Sequence, residues 1–100
     1  MKDPLGGIQY ALNSDAAVTL GFAGKKLSRA LEALRRFDAA SRAGNAADRK
    51  SLVHAAADAL WGYLVQKELM HLQDDEMVNK VFKAPAEVWK LAGKLHPGKT

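Results

Sequence analysis

Two sets of polar residues in this chain have the types and spacing to do chemistry. The first is Glu68 and His71, three residues apart within LWGYLVQKELMHL, residues 60–72. On a helix that spacing brings both side chains to one face. Glu-x-x-His is also the unit that dimetal carboxylate bundles take from each of two helices, with a further Glu from each of two others. A homodimer would supply two such units, but the additional carboxylates are missing. Antiparallel pairing about a turn near Asn45 sets Glu68 opposite Ala23 and His71 opposite Leu20. Asp15 lies off that seam, Glu32 faces solvent, and Asp38 is about 22 Å along the helix from Ala23. Glu68 and His71 are the only candidate metal ligands, and the stronger reading of them is structural, as polar residues held by partners in a helical bundle.

The second set is Asp38, His54 and Asp58. The same pairing brings Asp38 near His54, with Asp58 one turn beyond, an arrangement able in principle to act as a general base. No nucleophile stands at that level, since Ser41 and Ser51 lie near the turn and no oxyanion loop is present. The set therefore reads as a hydrogen-bonded clasp that fixes the hairpin register. Gly21-Phe22-Ala23-Gly24-Lys25 is not a phosphate loop, because it sits inside a helical pattern with no strand before it. Its small residues suit close helix approach. Trp61, Tyr63, Phe82 and Trp89 read as core. The chain has no cysteine, which excludes disulfides and thiolate chemistry and fits a reducing cytoplasm. Nothing calls for a cofactor, and the chain reads as non-enzymatic.

Charge raises a competing function. The net charge is +4, and it is concentrated between Lys25 and Lys50, where eight basic residues stand against three acidic ones. Lys25, Arg29 and Arg36 share one helix face with Glu32 among them. Asp75 to Leu95 has the outline of a helix-turn-helix, with Lys90 and Lys94 on its second helix. Its turn carries Lys83-Ala84-Pro85 in place of the usual Gly, and Glu87 stands where base contacts belong. Nucleic-acid binding through Lys25, Arg29, Arg36, Lys90 and Lys94 is thus the alternative function rather than the first.

The elements that must position these residues are helices. Leu20, Ala23, Leu27, Ala30, Leu34 and Phe37 recur at steps of three and four over residues 14–43, which predicts an amphipathic helix with Leu31 in its apolar arc. Asn13 or Ser14 is its expected N-cap and Gly44-Asn45 its expected stop. A second helix is expected from near Asp48 to Leu72. It is apolar almost all round, so it must be covered from several sides. The acidic turn Asp74-Asp75-Glu76 opens a short third helix. Pro85 suits the first turn of a fourth, which ends before His96-Pro97-Gly98. No run is long and apolar enough for a membrane span.

Thirty helical residues extend about 45 Å, whereas a compact domain of this size has a radius of gyration of about 13 Å. Either the first helix breaks at Gly21 to Gly24, or two elongated hairpins pair. The expected architecture is one all-α domain over residues 1–100: an N-terminal arm at 1–13, a long antiparallel hairpin, two short C-terminal helices and a loose tail at 96–100. It is expected to dimerise as a helical bundle.

Leu31 to Ala39, LEALRRFDA, then AAADALW at 55–61 and the run Trp61, Val65-Gln66, Glu68-Leu69 resemble a family of small bacterial proteins known only as a domain of unknown function. Pro85-Ala86-Glu87-Val88 is similar to that family's ending. The resemblance covers about residues 20–95, with the W-x-x-x-V-Q-x-E-L run its most distinctive part. It implies an all-helical, soluble bacterial protein and carries no activity, ligand or site residue. The combined expectation is a cytoplasmic, self-associating interaction or regulatory protein, with a homodimer as the first partner and another protein as a further one.

Overall fold

The computed structural model describes residues 6–40 and 46–95, with side chains from residue 17 onward within those ranges. Its helices are α1 (Gly6–Ala40), α2 (Ala46–Leu69), α3 (Asp75–Phe82) and α4 (Ala86–Leu95), and no strand occurs among the described residues. α1 packs along α2 as an antiparallel hairpin, α4 packs on α2, and α3 touches α1. The longest dimension is 63 Å and the radius of gyration 16.5 Å. Both exceed what a compact globule of this length would show.

That elongation follows from α1, which runs unbroken through Gly21 and Gly24. Two glycines in a helix interior cost roughly 1 kcal/mol each relative to alanine, too little to break a helix whose neighbouring turns are buried. Gly24 has a packing role as well. A Cβ added there would stand 3.3 Å from Tyr63 Cε1, so the missing side chain lets the tyrosine ring close on α1. Tyr63 in turn meets Phe82 edge to face, with centroids 5.0 Å apart. The N-terminus of α1 differs from expectation, since the helix begins at Gly6 and takes in residues 6–13 of the expected arm. Asn13 and Ser14 therefore lie within the helix. Extending an existing helix needs no new nucleus, and residues 8–12 contain no breaker. The expected Gly44-Asn45 stop, the segment before Gly6 and the tail after Leu95 lie outside the described residues.

The core is one cluster. Leu27, Leu31 and Leu34 of α1 meet Val53, Ala56, Ala57, Ala59, Leu60 and Leu64 of α2, with Val78, Ala84, Val88 and Ala92 closing it. No polar or charged side chain is buried among the described residues. α2 is covered from two sides over its first two thirds, as its all-round apolar pattern requires. The cover then stops, and Leu69 in its last turn is 69% exposed.

α2 ends at Leu69 rather than Leu72, through a Schellman turn. The Leu72 N–H donates to Lys67 O at 2.9 Å and the His71 N–H to Glu68 O at 3.0 Å. His71 takes the left-handed position with φ 58°, where glycine is usual. The two short helices are capped as their sequences suggest. Asp74 accepts from the Met77 N–H at 3.1 Å, and Pro85 stands just before α4 with its carbonyl accepting from Val88 N–H at 3.0 Å. Lys83 ends α3 in the left-handed region with φ 55°, and Arg35 Nη2 of α1 donates to Phe82 O at 3.0 Å. A cation thereby meets the negative end of the α3 dipole.

Two stability outcomes follow. Leu60→Ala, at a fully buried site, should cost about 2–5 kcal/mol in chemical denaturation. His71→Gly should stabilise by roughly 1 kcal/mol, since it relieves a left-handed conformation that disfavours side chains. A loss of stability in His71→Gly would contradict the Schellman reading.

Candidate functional site

The densest polar site joins three helices through Arg49. Its Nε and Nη2 donate to Asp38 Oδ1 and Oδ2 at 2.8 and 3.1 Å. Its Nη1 and Nη2 donate to Glu87 Oε1 and Oε2 at 2.9 and 2.8 Å. One guanidinium of α2 thus holds the last turn of α1 and the first turn of α4 by two forked pairs, the geometry for which arginine is suited and lysine is not. All three side chains are partly open to solvent. The Arg49 hydrogen bonds hold the Asp38 and Glu87 carboxyls below their ordinary values, against opposing desolvation, and the Glu87 and Asp38 bonds push Arg49 up.

This arrangement corrects the expected clasp. Asp38 pairs with Arg49 rather than His54. His54 Nδ1 lies 3.6 Å from Asp58 Oδ2, one turn away on the same helix and exposed. The difference is one of register. α2 starts at Ala46 rather than near Asp48. Gly24 then meets Tyr63, and Asp38 meets Arg49 at the same offset. No motif or seam spacing in the sequence marks Arg49. The signal for it was Asp38, a carboxylate close to the apolar arc of α1 and in need of a cation across the hairpin.

Glu68 and His71 do not form the expected helical pair. α2 ends between them and His71 lies beyond the helix in a left-handed turn, so the i, i+3 face does not exist. Both residues are exposed, which also corrects their reading as polar residues in a buried helix. Among the described residues, no group of three or more His, Asp or Glu side chains is placed to hold a metal ion.

The basic residues separate into two kinds. Lys25 and Arg29 are exposed on the outer face of α1. Arg36 joins them there, but its Nε lies 3.2 Å from Glu32 Oε2. Arg35 and Arg49 are engaged with Phe82 O and with the Asp38–Glu87 pair. Lys90 and Lys94 are exposed on α4, which packs on α2, whereas the α1 stripe faces away from α2. The five cations therefore do not form one surface. α3 and α4 do have the two-helix outline expected over Asp75 to Leu95. The start of α4, where a recognition helix would read bases, is held to α2 through Glu87.

Large apolar side chains left exposed include four at the open end of the hairpin and two on α3, whose last residue Phe82 meets Tyr63 and Arg35 at the hairpin's middle. They are Val18 and Phe22 of α1, Leu69 and Leu72 at the end of α2, and Met77 and Val81 of α3; Leu95 of α4 is the most weakly exposed of the set. At the other end, between Leu27 and Leu64, the large apolar residues are buried or half-buried.

The fold and this surface define a small all-α protein built on a long antiparallel hairpin, with two short helices laid on it and an uncovered apolar end. No helix among the described residues is long and apolar enough to cross a membrane. The chain belongs to a family of unknown function (DUF6665), whose model matches residues 4–99. That match takes in the N-terminal segment beyond the residues that carry the resemblance. No curated protein and no solved structure matches the chain.

The Arg49 site yields a pH dependence with a definite sign. Both carboxyls have folded values lowered from 3.8 and 4.5, so their contribution is present above those values and lost as pH falls through the folded ones. Glu87→Gln should lower Tm at neutral pH, and its deficit against wild type should shrink as pH falls below 4.5. A deficit that stays constant across that range would show that the Arg49–Glu87 charge pair contributes nothing.

Proposed function

We propose that this protein is a non-enzymatic interaction protein that works as a homodimer, two hairpins pairing into a helical bundle. The observation that carries this reading is the exposure of Val18, Phe22, Leu69 and Leu72 together at the open end of the hairpin. Isolated exposed apolar residues need no explanation, but a concentration of them at one end of a molecule marks an interaction surface. The elongated hairpin supports the same reading. A monomer of this shape leaves Val18 and Phe22 of α1 and the last turn of α2 without cover, and twofold pairing is the commonest way for a soluble chain to supply it. The cysteine-free composition fits a cytoplasmic setting.

The second reading is nucleic-acid binding, favoured by the exposed pair Lys25 and Arg29 on one face of α1. It draws less support. Arg36 on the same face is paired with Glu32, and Glu87 is committed to Arg49.

Light scattering on the full chain at micromolar concentration should give twice the mass of one chain. A monomer mass would overturn the proposal. Titration with duplex DNA at low salt should show no binding with the steep salt slope that phosphate contacts produce. Such a slope would favour the second reading.

A further inference from the structure

α2 and α4 leave a groove between them at the connected end of the hairpin. On α4, Glu87, Lys90, Leu91 and Lys94 line it, at the i, i+3, i+4 and i+7 spacing of one helix face over two turns, or about 10 Å of helix. Arg49, Lys50 and Val53 of α2 stand across from them. The groove has two hollows of about 630 and 270 Å³, which adjoin because Val53 and Glu87 line both. Buried Val53 and half-buried Leu91 give it an apolar floor. Gly93 lines the larger hollow, and nothing stands within 4 Å of the position its Cβ would take.

Charge and size select the occupant. Four cations line the groove against one carboxylate, and Arg49 and Glu87 neutralise one another. Lys50, Lys90 and Lys94 are left, all exposed, and among the described residues none of them has an ion-pair partner. An apolar floor under a cationic rim is complementary to a ligand with an apolar body and an anionic head. The larger hollow lies within the range of small-molecule sites, roughly 300–1,000 Å³. A protein partner fits less well, since a specific interface buries at least about 1,000 Å² and this groove is two turns long. A bare phosphate would leave the floor in water. A membrane surface is flat and does not reach Val53, which is 7% exposed at the bottom of the groove.

We infer that the α2–α4 groove binds a soluble single-chain carboxylate of the fatty-acid type, its chain lying on Val53 and Leu91 and its head held by Lys90 and Lys94. These two lysines stand one turn apart on the same ridge of α4, so both ammonium groups can reach one carboxylate. Their methylene stems extend the apolar wall. Lys50 adds to the positive field from across the groove. The site is separate from the open end of the hairpin, because Val18, Phe22, Leu69 and Leu72 do not line it.

The test is a titration of octanoate into the full chain, with methyl groups followed by NMR and 1-octanol titrated in parallel. Saturable shifts at Val53 and Leu91 are expected, with octanol binding about tenfold more weakly because it lacks the charge. Combining Lys90→Glu with Lys94→Glu, both at exposed sites, should weaken octanoate binding by about tenfold or more. Lys25→Glu with Arg29→Glu on α1 should leave it unchanged. Shifts confined to Val18, Leu69 and Leu72 would put the chain on the exposed apolar end and overturn the site. Equal binding of octanol, or an unaltered affinity in the Lys90 and Lys94 variant, overturns it as well. So does binding to vesicles of anionic phospholipid without saturable octanoate binding. None of these outcomes depends on the mass of the wild type, so self-association stands or falls separately.

Discussion

The structure depends on where Arg49 stands. A guanidinium that forks onto Asp38 on one side and Glu87 on the other ties the end of α1, the start of α2 and the start of α4 together at one level. An exposed ion pair contributes little on its own, so the importance of this one lies in position rather than in energy. Because side chains recur on a helix every three or four residues, a hairpin has few offsets at which its apolar seams coincide. The Arg49 pairs satisfy their charges only at the offset seen here. With that offset set, Gly24 receives Tyr63, Leu27, Leu31 and Leu34 enter the same cluster as Leu60 and Leu64, and α4 is placed to bring Val88 and Ala92 onto α2.

The same offset determines what stays outside. α3 and α4 are short, and together they give cover near the connected end of the hairpin and along its middle. The turn that ends α2 with a left-handed His71 sends the chain back toward the middle before Leu69 and Leu72 are covered. α1 meanwhile continues N-terminally past the point where α2 has ended. An uncovered apolar end is thus a direct result of unequal element lengths. The basic character of the middle of the chain is likewise more committed than composition suggests, because Arg35, Arg36 and Arg49 each bond a group of the same chain.

Much of this was legible from the residues. The steps of Leu20, Ala23, Leu27, Ala30, Leu34 and Phe37 mark α1. The acidic turn at Asp74 and the proline at 85 marked the starts of α3 and α4. What could not be read depended on loop geometry. A shift in where α2 begins changes the cross-hairpin partners, so spacing alone pairs Asp38 with His54 whereas its cation is Arg49. The end of α2 was hidden because His71, not glycine, occupies the left-handed position, and no propensity marks a histidine for that role.

The central claim is that α1 and α2 carry an outer surface that a second copy covers. Amide hydrogen exchange on the wild-type chain, compared at concentrations well below and well above association, addresses it without any substitution. The account predicts that exchange slows at the higher concentration in residues 18–22 of α1 and 69–72 at the end of α2, and is unchanged in α4. Exchange that is independent of concentration, or that slows chiefly in α3 and α4, would contradict it.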